Sequence, residues 1–230
     1  MKQAQKVWRI IGAIIVVVGC GVALSTHPEL QRSTAEQTKS TEVTGAAVDT
    51  LETLSVKGRA PKTNYSREQF GDGWASAAGC DTRNTVLKRD LKEAVVNAKC
   101  QVISGVFDDP YTGQTINFTR GASTSSEVQI DHVVALSDAW QKGAQQLSST
   151  EREALANDPL ELLASSGAAN QQKSDSDAAS WLPSNKPFRC QYVARQIAVK
   201  KKYSLWVTSA EKEAIRTVLS TCPGQSLPTS

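Results

Sequence analysis

The stretch that decides the fold reads Val128-Gln-Ile-Asp-His-Val-Val134. Apolar and polar residues alternate in its first half, which is typical of a short β-strand, and this strand ends at Asp131 and His132. A second short apolar segment over residues 160–164 predicts another strand, and Asn170 follows it in a predicted helix. The sequence therefore predicts two strands and a helix that carry an acid, an imidazole and an amide.

These residue types suit the hydrolysis of a phosphodiester bond. The anionic phosphodiester repels hydroxide, so its cleavage needs a base that works near neutral pH and a cation on the phosphate oxygens. Histidine has the fitting side-chain pKa, which makes His132 the candidate general base. Carboxylate and amide oxygens suit a hard cation such as Mg²⁺ or Mn²⁺, so Asp131 and Asn170 are the candidate metal ligands. In a regular strand Asp131 and His132 point to opposite faces, which fits separate roles for metal and water.

The order of strand, Asp-His, strand, Asn and helix is similar to the ββα-metal motif of HNH nucleases. From residue 65 to residue 222 the chain resembles the exported HNH endonuclease family often labelled DUF1524. The stretches that carry this resemblance are Tyr65-Ser-Arg-Glu-Gln-Phe-Gly71, Gly79-Cys-Asp-Thr-Arg-Asn84, Val128-Gln-Ile-Asp-His-Val-Val134, Asn157-Asp-Pro159, Asn170-Gln-Gln-Lys-Ser-Asp175 and Trp181-Leu-Pro183. The fifth of them is also similar to the HNH domain of CRISPR effector nucleases.

The resemblance implies an α+β fold in which a ββα-metal core carries additional helices. It implies an endonuclease that hydrolyses phosphodiester bonds of DNA, or also of RNA, with a divalent metal, Mg²⁺ or Mn²⁺. His132 would act as general base, and Asp131 and Asn170 would bind the metal. DNA or another nucleic acid is then the partner, and no obligate protein partner is indicated.

The sequence departs from the fuller HNH pattern near the predicted helix. The final histidine of many members is missing, and Lys173 stands in that neighbourhood, where it is either a phosphate-binding catalytic residue, which we favour, or a solvated lysine. Because His132 is the only histidine of the domain, a histidine-rich zinc or nickel site is not expected. Asp175 and Asp177 are either outer or third ligands or a loop acidic pair, and the second interpretation is favoured. Glu161 stands where an asparagine is expected in relatives.

A formal net charge of +3 is too small to indicate nucleic acid by itself, but the basic residues are unevenly distributed. Between residues 186 and 210 there are basic side chains and no acidic ones, which favours a surface that follows a phosphate backbone. An ordinary solvated helix face, or attraction to anionic lipid, are the alternatives. The basic residues of this stretch are Lys186, Arg189, Arg195, Lys200, Lys201 and Lys202. Arg83 and Arg120 either clamp phosphate or pair with carboxylates such as Asp81 and Asp109.

The cysteines indicate an oxidising compartment. One of the five is Cys20, and the even number beyond it favours disulfides over four buried thiols. Three connectivities are open. Pairing of Cys80 with Cys100 and of Cys190 with Cys222 is favoured, because each pair would bracket one helical segment.

Residues 1–24 combine a basic head with an apolar stretch, which predicts a signal peptide or a membrane anchor. Val17-Val18-Gly19-Cys20 also resembles a bacterial lipobox. Each reading places the rest outside the cytoplasmic membrane, either secreted or anchored to its outer face through the N-terminal segment. Residues 25–60 are expected to be a disordered linker, residues 61–224 the nuclease domain and residues 225–230 a loose tail.

The remaining patterns predict a helix over residues 83–99, strands over 102–107 and 115–118, and helices started by capping boxes at Thr150/Glu153 and Thr208/Glu211. Two functions of different class remain. The first is the metal-dependent endonuclease described above. The second is a surface-anchored, catalytically inactive protein that binds nucleic acid through the basic stretch.

Overall fold

The computed structural model describes residues 46–228 of the chain. The helices of this part are α1 (Ala47–Thr53), α2 (Thr82–Asp90), α3 (Leu136–Gln141), α4 (Ser149–Ala156), α5 (Gly167–Lys173), α6 (Arg189–Lys202) and α7 (Ser209–Leu219). Its strands are β1 (Ser76–Ala77), β2 (Cys80–Asp81), β3 (Lys92–Val96), β4 (Val102–Asp108), β5 (Thr115–Thr119), β6 (Val128–His132) and β7 (Leu162–Ser166). This mixture is the α+β class that the sequence predicts.

The centre of the fold is an antiparallel pair of strands followed by a helix. Strand β6 pairs with β7 in a register that sets Asp131 opposite Leu163 and His132 opposite Leu162. Helix α5 begins directly after β7, where the Ser166 side chain accepts a hydrogen bond from the Ala169 N–H and caps the helix. Because α5 packs on both strands, Asn170 lies over the face of the pair that carries Gln129 and Asp131.

Two hydrophobic clusters hold this strand pair from opposite sides. On β7, Leu162 and Ala164 belong to a smaller cluster with α2 and the three-stranded sheet, whereas Leu163 belongs to a larger cluster among the helices. Successive strand residues point to opposite faces, so one short strand contributes to both clusters. The end of β6 is therefore fixed on both sides.

The predicted helix over residues 83–99 is only half correct. Helix α2 ends at Asp90, and β3 pairs antiparallel with β4 in a sheet of order β3-β4-β5. Val95 and Val96 are β-branched residues that suit a pleated sheet, and pairing with β4 outweighs the helical spacing of the apolar positions. The strands predicted over residues 102–107 and 115–118 are confirmed as β4 and β5.

Of the two predicted capping boxes, one is confirmed and one is displaced. Thr208 and Glu211 cap the start of α7, where the two side chains and backbone N–H groups bond reciprocally. The box of α4 is formed by Ser148 and Glu151, two residues earlier than the sequence predicts. The pattern Ser/Thr-x-x-Glu occurs in both registers here, and the packing of the helix selects the earlier one.

The folded part begins earlier and ends later than the predicted boundaries at residues 61 and 224. Helix α1 lies within the predicted linker, yet Ala47 and Leu51 are fully buried in the larger cluster. In the predicted tail, Gln225 accepts a hydrogen bond from the Ala47 N–H, and Leu227 is also buried. The predicted targeting segment and the linker up to residue 45 lie outside the described residues, and none of the helices between residues 46 and 228 could cross a membrane.

The two disulfides join Cys80 to Cys100 and Cys190 to Cys222, as the sequence predicts. The first links the start of α2 to the segment between β3 and β4. The second links the start of α6 to the segment after α7. Each bond closes a loop of the chain and so reduces the conformational entropy of the unfolded state.

Candidate functional site

A cleft of about 590 Å³ opens at the end of β6, and all three residues of the predicted constellation line it. Asp131 and His132 reach it from β6, and Asn170 reaches it from α5. The opposite wall is formed by the segment from Lys62 to Trp74. Residues far apart in the sequence therefore meet at one cavity.

His132 is held by a backbone carbonyl. Its Nε2 atom lies 3.0 Å from the Ala156 carbonyl oxygen at the end of α4. A carbonyl can only accept, so in the neutral ring Nε2 carries the proton and Nδ1 keeps its lone pair. The imidazole is therefore fixed in the tautomer that leaves Nδ1 as a base.

Trp74 covers one face of this imidazole. The two rings are stacked, with centroids 5.6 Å apart and planes inclined by 8°. The loop before Trp74 needs glycine at position 71, where φ is +97° and a Cβ atom would lie 3.0 Å from the Glu153 Cγ. A glycine in a left-handed conformation thus helps to bring the indole over His132.

The buried position changes the acid–base behaviour of the ring. Burial, with the positive charge of Arg67 as the next cause, lowers the pKa of His132 to about 3. Both causes disfavour the protonated form, one by desolvation and the other by repulsion. The ring is therefore neutral at pH 7, and these surroundings make it a weak base.

Asp131 is oriented by two donors. Its Oδ1 accepts a hydrogen bond of 2.9 Å from Lys173 Nζ, and its Oδ2 accepts one of 2.5 Å from the Tyr111 hydroxyl. Burial raises the pKa of this carboxyl, and Lys173 and Tyr111 oppose that shift without cancelling it. The carboxylate is thus fixed beside His132 by groups behind the cleft.

The structure corrects the prediction for Lys173. Its side chain is completely buried and donates to Asp131 and to the His132 carbonyl oxygen, at 2.9 and 2.8 Å. A buried ammonium group must be compensated by such partners, which removes it from contact with substrate phosphate. Lys173 is a positioning residue for Asp131.

Asn170 keeps its amide oxygen for another partner. Its Nδ2 donates to Gln129 Oε1 at 2.9 Å, which turns the oxygen end of the amide away from Gln129. Each Asp131 oxygen accepts one hydrogen bond and has a second lone pair. Two oxygen donors therefore fit a hard divalent cation, with water or substrate oxygens needed as further ligands. Within residues 46–228, no three His, Cys, Asp or Glu side chains converge to hold a metal ion, so a cation here would depend on the Asn170 amide and on water or substrate oxygens beside Asp131.

The acidic residues after α5 have different surroundings. Asp175 lines the cleft and lies 3.2 Å from both Lys62 Nζ and the Ser137 hydroxyl. Asp177 points into the interior and binds Lys142 and Arg59, at 2.7 and 2.8 Å. Asp175 shares the cleft with Asn170, whereas the two cations hold Asp177 in the interior, so both alternatives for Asp175 stay predictions.

The predicted basic surface over residues 186–202 does not form as a continuous phosphate-binding surface. Lys200 is fully buried and binds Glu211 at 2.9 Å. Three of the others donate hydrogen bonds to the protein, Arg189 to the Pro183 carbonyl oxygen, Arg195 to the Leu160 carbonyl oxygen and Lys201 to the Thr53 hydroxyl. Lys202 forms an ion pair with Asp158. Lys186 is exposed. Helix α6 packs within the larger cluster, so most of its cations bind groups of the protein itself.

Neither Arg83 nor Arg120 pairs with Asp81 or Asp109 within residues 46–228, and the phosphate-binding alternative stays a prediction. Arg83 lines the cleft but donates to the carbonyl oxygens of Ser125 and Val128. Arg120 donates to the Val102 carbonyl oxygen and to the Asn84 side chain. Both therefore connect the ends of strands to one another.

Sequence reasoning missed two residues of the site, Arg67 and Trp74. Both line the cleft with His132. Arg67 stands inside the first of the stretches that carry the resemblance, and this position is the available signal. Trp74 lies outside those stretches, and a tryptophan alone carries no signal for a particular neighbour.

Glu161, which stands in place of an expected asparagine, is completely buried behind the site. Its Oε2 accepts a hydrogen bond of 3.2 Å from the Val134 N–H. Burial raises its pKa well above the usual value for a glutamic acid. Burial therefore favours the neutral form of this side chain over the carboxylate.

Comparisons with known proteins add independent information. Residues 81–218 match the family described as "GmrSD restriction endonucleases, C-terminal domain". A protein of Arthroderma benhamiae named "Uncharacterized secreted protein" is 39% identical over 175 residues, which span 75% of this chain and 82% of that protein. No solved structure matches the chain.

Proposed function

Because the chain belongs to the family of the C-terminal domain of GmrSD restriction endonucleases, we propose that it is a metal-dependent endonuclease acting on DNA, or also on RNA. The observation that carries the proposal is the imidazole of His132. Its Nε2 is bound by the Ala156 carbonyl, and it shares a cleft with Asp131 and Asn170. The HNH type of the site is part of the proposal.

His132 acts as general base on a water molecule. Nδ1 takes a proton from the water as the oxygen attacks phosphorus, and the bond from phosphorus to the 3′ oxygen breaks. The products are a 5′ phosphate and a 3′ hydroxyl. A pKa of about 3 would make the ring a weak base, but a bound phosphate anion stabilises the protonated ring and raises this pKa.

Asp131 and Asn170 would hold the divalent cation, Mg²⁺ or Mn²⁺. When bound, the cation supplies positive charge to the phosphate oxygens and to the leaving oxygen. Lys173 and Tyr111 orient the Asp131 carboxylate, and Gln129 orients the Asn170 amide. These contacts fix the donors before any ligand arrives, which reduces the reorganisation needed for catalysis.

We further propose that the protein works outside the cytoplasmic membrane, secreted or anchored through its N-terminal segment. Its two disulfides are stable in an oxidising compartment, and the related fungal protein is named as secreted. Export would separate a nuclease from the DNA of its own cell.

The test is a plasmid-nicking assay with the full chain and a panel of divalent ions. We expect nicking with Mg²⁺ or Mn²⁺, none with excess chelator, and a loss of ~10²–10⁴-fold in rate for His132→Ala. His27→Ala is the matched control, because it removes the other histidine of the chain and should keep full activity. Absence of cleavage with every ion would overturn the proposal.

The competing function is a catalytically inactive protein that binds nucleic acid. It predicts salt-sensitive binding of DNA that is indifferent to His132→Ala, with no nicking under any condition. The closely held constellation of Asp131, His132 and Asn170 disfavours it, since binding alone does not need a fixed imidazole tautomer. The same preparations therefore decide between the two functions.

A further inference from the structure

A second cavity of about 390 Å³ adjoins the cleft beside His132. Arg67, Trp74, His132 and Leu136 line both cavities. The two spaces therefore meet at the candidate base, and we call them together the groove. A polymer that occupied both spaces would pass these four residues.

The two halves of the groove differ in polarity. The half formed by the first cavity contains the cations Lys62 and Arg83 together with the acids Asp131 and Asp175, and we call it the polar arm. The half formed by the second cavity is lined by Phe70, Leu136 and Ala156, with Glu68 and Asp72 also in its wall, and we call it the apolar arm. The apolar arm offers no cation other than Arg67, so a base and its sugar suit it better than a second phosphate.

Arg67 stands where the two arms meet, and it differs from the other arginines of the described residues. Its side chain is exposed and makes no hydrogen bond or ion pair with any residue between 46 and 228. The arginines of this part that bind oxygen atoms of the protein are Arg59, Arg83, Arg89, Arg120, Arg152, Arg189, Arg195 and Arg216.

A guanidinium in this position has a specific use. It presents several N–H donors in one plane, which matches two oxygens of a phosphate group. Arg67 and His132 line both cavities together. A phosphate bound by Arg67 would therefore lie beside the ring.

We propose that Arg67 binds the phosphate that faces His132, and that the neighbouring nucleoside lies in the apolar arm. This inference deepens the proposed nuclease function and rests on it for the identity of the substrate. Arg67 then has two roles. It holds the substrate in the ground state, and it stabilises the additional negative charge that develops on the phosphate during attack.

The test measures binding without cleavage. A labelled single-stranded oligonucleotide is titrated with the full chain in excess chelator, and fluorescence anisotropy gives the Kd at several salt concentrations. Arg67→Ala should weaken binding about tenfold or more, and should lower the slope of log Kd against log salt by about 0.7, the value for one lost phosphate contact on a single strand. Arg67→Lys should keep most of the slope, because it keeps the charge.

Lys186→Ala is the matched control, because Lys186 is an exposed cation of the basic stretch outside the groove. It should change neither the Kd nor the slope. If Lys186→Ala weakens binding as much as Arg67→Ala does, or if Arg67→Ala binds as the wild type does, the inference is wrong. Thermal unfolding of Arg67→Ala should match that of the wild type, since Arg67 has no partner within residues 46–228 to lose.

Competition with small ligands tests the apolar arm. Thymidine 5′-monophosphate or 3′-monophosphate should displace the oligonucleotide at lower concentration than inorganic phosphate does. Equal competition by phosphate and by the nucleotides would overturn the assignment of the nucleoside. If the oligonucleotide binds through Arg67 but plasmid is never nicked, the inference stands and the proposed catalytic function fails.

Discussion

Two groups of buried charges in this protein differ in what surrounds them. The first, which we call the ion network, consists of Lys142, Lys200, Asp138, Asp177 and Glu211, with Arg59 at its edge. The second is the pair of Lys173 and Asp131 at the cleft. Both contain a lysine that is completely buried, but only the second borders a cavity.

The charged groups of the ion network are all paired with one another. Lys142 Nζ lies 2.7 Å from an oxygen of Asp138, of Asp177 and of Glu211, so one ammonium group binds three carboxylates. Its three cations balance its three acids. It joins the segment after α3 to α6, α7 and the chain before α2, so the removal of one member would leave a buried charge without its partner.

The groups at the cleft are not all paired with one another in this way. Lys173 binds Asp131 from the side away from the cleft. Arg67 and the Nδ1 atom of His132 have no hydrogen-bond partner within residues 46–228. Burial alone therefore does not identify a functional charge. A functional charge is one whose partners fix it and still leave it able to bind a ligand.

The largest effect should come from breaking the ion network at its centre. Lys142→Met leaves three buried carboxylates with too few cations, and we expect a loss of about 3–5 kcal/mol in the free energy of unfolding. Urea denaturation followed by circular dichroism measures it. A loss below about 1 kcal/mol would mean that the network is not needed for stability.

Lys173→Met should have a smaller effect on stability, near the lower end of the same range, about 3 kcal/mol. Asp131 already has a raised pKa and can take up a proton when its cation is removed. The second measurement on this variant is its plasmid-nicking activity. Lys173→Met should lose nicking even in the folded state, because Asp131 is no longer fixed, and full nicking would contradict its positioning role.

The pH dependence of stability separates the two groups further. Burial raises the pKa of Asp177, but the hydrogen bond and charge of Lys142, with Arg59, outweigh burial and lower this pKa to about 2. The folded pKa lies below the unfolded value, so Asp177 contributes stability above about pH 4, and this contribution is lost as the pH falls towards 2.

Asp177→Asn should therefore flatten the decline of unfolding free energy between pH 4 and pH 2, as measured by urea denaturation at fixed pH values. Asp175→Asn is the control. Asp175 also has a lowered pKa, but its side chain is half exposed and its partner Lys62 lies at the surface. Equal flattening in both variants would indicate that the ion network adds nothing beyond surface pairing.

The smallest effect is expected for an ion pair at the surface. Lys92 and Asp108 lie 2.6 Å apart across β3 and β4, and both side chains are largely exposed to solvent. Water and salt screen such a pair, so Lys92→Ala should leave the urea midpoint unchanged within error. A clear loss of stability would show that the distance between the two charges, and not their burial, decides how much an ion pair stabilises the protein.

Much of the fold could be read from local patterns. The strand that ends at Asp131 and His132 and the helix with Asn170 are present as predicted, and the second strand is present but runs over Leu162–Ser166 instead of residues 160–164. These elements depend on alternation, capping or order along the chain, which short stretches encode. The favoured pairing of the cysteines is also confirmed. The error at residues 91–96 arose where pairing with a distant strand outweighed local helical spacing.

The sequence by itself indicated a nuclease-related family, the strand–strand–helix unit and three residues that line the cleft, Asp131, His132 and Asn170. Only the tertiary structure decided which charges are available. Lys173 and Lys200, both plausible phosphate ligands in the sequence, are buried against carboxylates, while Arg67 faces the groove. The reason is that the partner of a charged side chain is chosen by contacts between distant segments, such as Lys142 with Glu211, 69 residues away, and no local pattern records them.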